Sequence, residues 1–294
     1  MMPLKLCIPL LNDKRQDFNK LAHLWQQVDA AGEKAHVHFD FSNCDFLRPN
    51  AVAFLGGLAR LIEYRGGLPQ FETGTIRQEI KTNLYQNGFA NVMRIDSPSW
   101  DGNSIPYRED SHEDQNSIVH YLKSNWLGKG WINVAPTLAN EIAGQMWEIY
   151  TNAFEHSQSA IGVFSCGQYF PKSHELLLAV ADFGVGIPSN VRHHAGKPIH
   201  GKEAMRWAFA PGNTTARELP FPRGMGLDLL KEFIRINHGH LEIYSKDGYA
   251  RVDSKGEVYE NLTNFFDGTL VQVRLVCDDT LYLLSNEQES SPFF

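Results

Sequence analysis

Five consecutive apolar residues, Leu176-Leu177-Leu178-Ala179-Val180, follow Glu175 and lead through Ala181 to Asp182. The run is of strand length, and its lack of alternation is the pattern of a strand buried on both faces. It ends in Asp182-Phe183-Gly184-Val185-Gly186-Ile187-Pro188. A carboxylate at the end of a buried strand is costly unless it is hydrogen-bonded. Gly184 and Gly186 would let backbone approach a flat ligand closely. On local sequence Asp182 serves equally well as the cap of a following amide in a turn.

Upstream, Pro136 to Ser157 reads as one long helix. Glu148, Asn152 and His156 are four residues apart and lie in file on one face, beside an apolar stripe of Ile142, Met146, Ile149 and Ala153. Such a helix is either an amphipathic surface helix or the wall of a site. A carboxamide such as Asn152 can ligate a magnesium ion held mostly by phosphates and water without adding charge. Glu148, one turn earlier, can orient or deprotonate a water or hydroxyl.

Downstream, residues 189–222 form a long connection rich in glycine, proline and basic residues, with a short helix expected over Lys202–Phe209. Its length is that of a lid or binding loop. Arg223-Gly224-Met225-Gly226 then opens a helix over Leu227–Asn237, and helix N-termini attract phosphate. Strands are expected at Leu241–Ser245, Gly248–Asp253 and Thr269–Val276. Neither glycine cluster has dinucleotide-binding spacing, and no G-x-x-x-x-G-K-[ST] loop is present.

The N-terminal part alternates strand and helix: Leu4–Leu11, Gln16–Ala30, His36–Phe41, a helix N-capped by Asn50 and stopped by Gly66-Gly67, Leu68–Phe71, and Thr75–Tyr85. This predicts a small α/β domain with a mixed sheet over residues 1–95. Residues 96–135 read as a linker and connecting helix, 136–285 as a second domain and 286–294 as a loose polar tail. A net charge of −7 gives no sign of a dominant nucleic-acid surface. No stretch is long enough to span a membrane. Four scattered cysteines suit a reducing, cytoplasmic setting.

Taken in order, Glu148-Ile-Tyr-Thr-Asn152-Ala-Phe-Glu-His156, Asp182-Phe-Gly184-Val-Gly186, Arg223-Gly224-Met-Gly226-Leu227 and Gly268-Thr269 resemble the motifs of the GHKL ATP-binding family. The resemblance covers about residues 136–277, and the ending of the first motif is closest to the anti-sigma signalling branch. It implies a two-layer α/β sandwich of the Bergerat type, with helices on one face of a mixed sheet. Its cofactors would be ATP and Mg2+. Glu148 would be the base, Asn152 the magnesium ligand and Asp182 the adenine reader. Gly184, Gly186, Gly224 and Gly226 would shape the pocket beside Arg223, and Thr269 would help hold the base. His156 reads as a structural residue.

The first domain resembles the STAS domain of anti-sigma-factor antagonists. The resemblance rests on His36–Phe41, on Cys44-Asp-Phe-Leu-Arg-Pro-Asn-Ala-Val and on the helix ending at Gly66-Gly67. Pro49-Asn50 stands where such antagonists often carry a phosphorylatable serine. The expectation is a magnesium-ATP-binding signalling protein that hydrolyses ATP. Its 189–222 lid would gate a regulatory protein partner held by the STAS-like domain, and a homodimer is compatible. A serine/threonine protein kinase of the anti-sigma type and a non-catalytic nucleotide-dependent adaptor are the alternatives.

Overall fold

A computed structural model of the protein describes residues 3–210, 212–213 and 227–285. In the first unit β1 (Leu4–Cys7), α1 (Arg15–Ala31), β2 (His36–Asp40), α2 (Pro49–Tyr64) and β3 (Leu68–Phe71) alternate, followed by α3 (Gln78–Gln86). The strands pair in the order β1-β2-β3, all parallel. The sheet is therefore parallel rather than mixed, because each strand returns through a helix instead of a hairpin. Arg48, not Asn50, is the N-cap of α2, with Pro49 in its first turn.

The second unit begins with β4 (Ser104–Asp110) and α4 (Gln115–Tyr121), which runs into a π-helical turn at Leu122–Leu127. Then come α5 (Pro136–His156), β5 (Val163–Phe170), β6 (Glu175–Asp182), α6 (Ile187–Ala195), α7 (Gly201–Phe209) and α8 (Asp228–Ile236). β7 (His240–Ser245), β8 (Gly248–Asp253), β9 (Gly256–Asn261) and β10 (Thr269–Val276) complete it. The seven strands lie in the order β4-β5-β6-β10-β7-β8-β9, and every neighbouring pair is antiparallel. This sheet too differs from the mixed one expected. Short reversals such as β5–β6 and β7–β8–β9 force antiparallel pairing.

Residues 96–135 do more than link. They supply the edge strand β4 and, in α4 and the π-helical turn, helical cover packed on α5. Pro106 and the charged Arg108-Glu109-Asp110 mask the strand pattern, and an edge strand tolerates both because only one side must pair. β9 likewise carries no strand pattern, its residues being mostly polar and half-exposed.

β6 accounts for the apolar run. Leu176, Leu178 and Val180 join the core beneath α5 and α8, whereas Ala179, Ala181 and Phe183 join the core that contains α1 and α2. The first unit therefore covers the face of the seven-stranded sheet opposite the helices, with α2 against β5 and β6, and the molecule is more than a two-layer sandwich. α2 can sit this close only because of its glycines. A Cβ on Gly56 would lie 2.0 Å from the Tyr107 hydroxyl oxygen, and one on Gly57 would lie 2.2 Å from the Phe183 ring. Arg60 of α2 also donates to Glu109 of β4 at 2.8 Å. Among the described residues no helix is long and apolar enough to cross a membrane.

A candidate ligand cleft between the long helix and the strand ends

A cleft of about 540 Å³ opens between α5 and the ends of β6 and β10. Glu148, Asn152, Asp182, Gly186 and Thr269 all line it, although they come from separate stretches of the chain. His156 lies on the same wall. Gly184 stands just behind: its Cβ position is 1.9 Å from the Ser157 carbonyl oxygen, so only glycine lets this loop pass the end of α5. Arg223, Gly224 and Gly226 lie outside the described residues.

Strand register sets the floor. Asp182 and Thr269 are directly paired across β6 and β10, and Thr269 pairs with Ser245 on β7. The Thr269 and Ser245 hydroxyls are 2.8 Å apart, and the Ile187 amide donates to Ser245 Oγ at 2.8 Å. Gly186, with φ 77°, makes the turn into α6. Asp182 is 4% exposed and accepts from the Gly184 amide at 3.0 Å. Burial pushes its carboxyl up to about 7, against the opposing pull of hydrogen bonds from Gly184 and Thr269.

The wall is α5, fixed from within. The buried Tyr150 hydroxyl is 2.6 Å from Ser165 Oγ on β5, so the opposite face, with Glu148 and Asn152, stands toward the cleft. Gln145 Oε1 accepts from the Leu230 amide at 2.6 Å, which caps the first turn of α8 and aims that helix N-terminus at α5 one turn before Glu148. Asn190 of α6 donates to the His156 carbonyl at 2.8 Å and ties the far end of the wall. That contact gives the end of the motif a structural part.

The stretch 189–222 is in its described portion largely helical, with α6 and α7 packed together and α7 against β8. α7 corresponds to the short helix expected at Lys202–Phe209. Arg192 is committed to Asp247 and to the Ile199 carbonyl at 2.7 Å, and Arg206 stacks over the Tyr259 ring. The cleft cation is one that motif order does not point to: Lys231, the single Lys or Arg lining the cleft among the described residues. It is 5% exposed, donates to the Phe209 carbonyl at 3.1 Å and lies 3.4 Å from Glu257. A signal for it is present in the sequence: with Leu227, Leu230 and Ile234 it completes an i, i+3, i+4, i+7 stripe, an odd place for a lysine unless it is used. Trp147, Trp207 and Glu113 also line the cleft without having been expected there. Glu113 lies 38 residues before Thr151, whose hydroxyl donates to it at 3.4 Å, and no local pattern links them.

The lining carries the carboxyl groups of Glu113, Glu148, Asp182 and Asp228 against one lysine. An anionic ligand is therefore accepted best together with a cation. Among the described residues no three His, Cys, Asp or Glu side chains group at metal-binding distance, so such a cation would be coordinated chiefly by the ligand's own oxygens. The cleft thus combines a buried carboxyl at the floor, a carboxylate and a carboxamide on the wall, and a helix N-terminus between them. No family model matches the chain, and no curated protein matches it.

Proposed function

We propose that the cleft binds ATP with magnesium and that the chain is a signalling ATPase whose second unit is a GHKL domain of the Bergerat type. The observation that carries this reading is the meeting of Asp182, Thr269, Asn152 and Glu148 in one cleft, on the elements where the motif order requires them. A volume of about 540 Å³ suits a nucleotide. The ionised Asp182 accepts a hydrogen bond from the exocyclic amino group of adenine, and Thr269 helps hold the base. The phosphates run toward the N-terminus of α8, near Lys231. Asn152 would hold the magnesium ion, which supplies charge neutralisation in an acidic cleft. Glu148 takes the proton of the attacking oxygen as that oxygen bonds to the γ-phosphorus and the bond to ADP breaks.

The three parallel strands and flanking helices of the first unit are compatible with a STAS-like module. Its Pro49-Asn50 corner is turned inward, however: Asn50 is 4% exposed and donates to the Asn12 carbonyl at 3.2 Å. Neighbouring Arg48 reaches Glu175 of the sheet at 3.6 Å. A protein partner would engage another surface of the unit.

The test is phosphate release from ATP by the full chain. Steady release that is lost in Glu148→Ala supports hydrolysis. Label appearing only on an added protein would make the chain a kinase. Magnesium-dependent binding with neither outcome would make it a nucleotide-dependent adaptor.

A further inference from the structure

The rim of the cleft is held from behind. Asp182 and Thr269 face the cleft, but their neighbours Phe183 and Phe266 are buried on the opposite face, in the core shared with α1 and α2. Phe183 lies 5.1 Å from Phe54 of α2 and 5.6 Å from Phe266, ring centre to ring centre. Phe266 meets Phe54 edge-on at 5.0 Å and Phe18 of α1 at 6.0 Å. Gln26 of α1 donates to the Phe265 carbonyl at 3.0 Å. The two rim loops are also locked to each other, since the Cβ position of Gly268, at φ 144°, is 2.2 Å from the Asp182 carbonyl oxygen. Elsewhere the contact between the units is imperfectly paired. Asn50 Oδ1, His240 Nδ1 and Gln272 Oε1 are buried without a hydrogen-bond partner, which costs stability. The aromatic seat is therefore a well-packed part of the contact that holds the first unit down.

We infer that this seat is part of the binding site: Phe54 and Gly57 are positioning residues that act through Phe183 and Phe266 to keep Asp182 and Thr269 in place. Ligand in the cleft and docking of the first unit are then linked, and the linkage is reciprocal. A partner that pulled at α1 or α2 would loosen the cleft, and a filled cleft would tighten the seat. The nucleotide half of this inference rests on the function proposed above; the positioning half does not.

The test uses the full chain in three forms besides wild type: Phe54→Leu, Gly57→Ala, and Val37→Ala as a core change in β2 of the same unit. Amide exchange without ligand is read at Val185, Ile187 and Lys246, whose N–H groups bond to the Ser157 carbonyl, to Ser245 Oγ and to the Gly268 carbonyl. Affinity for Mg-ATP is read alongside. Phe54→Leu and Gly57→Ala should speed exchange at these amides relative to β8. They should weaken Mg-ATP binding at least about fivefold, the lower end of coupling between linked sites. Val37→Ala should change neither readout. Unchanged rim exchange in Phe54→Leu, or an equal rise in Val37→Ala, overturns the inference. If wild type binds no Mg-ATP, the nucleotide reading falls while the exchange data still decide the positioning role.

Discussion

Asp182 concentrates the tension in this molecule between stability and use. Its carboxyl is buried beside a cleft it would need in ionised form, and burial raises it to about 7 from an ordinary 3.8. Between those values the folded chain keeps the proton and the unfolded chain does not. Its contribution to stability is thus fully present below 3.8 and is lost as pH rises through 7. Asp182→Asn removes the penalty. In the absence of ligand the variant should be more stable than wild type at pH 8, by on the order of 1–4 kcal/mol. The gap should close by about pH 4. Urea titrations at the two pH values check this, and a variant less stable than wild type at pH 8 would refute it. Glu148 gives the complementary case. Glu148→Gln should leave Mg-ATP affinity within a few-fold but slow phosphate release by about 10²–10⁴. Equal losses in binding and turnover would make Glu148 a binding group only.

At the scale of elements, α5 is the member on which the site depends. It is clamped to the sheet by Tyr150 and to α8 by Gln145. Gln145→Ala leaves the first turn of α8 uncapped and should cost about 1 kcal/mol in urea unfolding, a typical loss for a helix cap. If Lys231 and the α8 N-terminus meet the phosphates, the same change should weaken Mg-ATP more than it weakens a nucleoside without phosphates. Equal effects on the two ligands would remove α8 from the phosphate site. α5 and β6 are legible in the sequence because sustained helical spacing and an unalternating apolar run are each compatible with few local structures. β4 and β9 are not, since edge strands need neither alternation nor a full apolar face. Five residues singled out by motif order line the cleft, whereas Lys231 is masked by its charge and Glu113 reaches Thr151 only through the fold.

Over the whole molecule, one antiparallel sheet separates two cores, with the cleft on one side and the first unit on the other. The double burial is announced by Leu176–Val180, yet nothing local in the sequence says which segment covers the second face. Gly56-Gly57 carries that information only once Tyr107 and Phe183 are in view. Ligand that binds the folded chain alone should raise its thermal midpoint with concentration, by about 2.7 kcal/mol of stability at a hundred times Kd. The most direct test of nucleotide binding in this cleft is calorimetric titration of the full chain with ATP at pH 8, with and without magnesium, for wild type and Asp182→Asn. Wild type should show saturable, magnesium-dependent binding of ATP and weaker binding of GTP, and Asp182→Asn should lose ATP binding despite its greater stability. Absence of ATP binding by wild type, or equal binding by Asp182→Asn, would contradict the assignment.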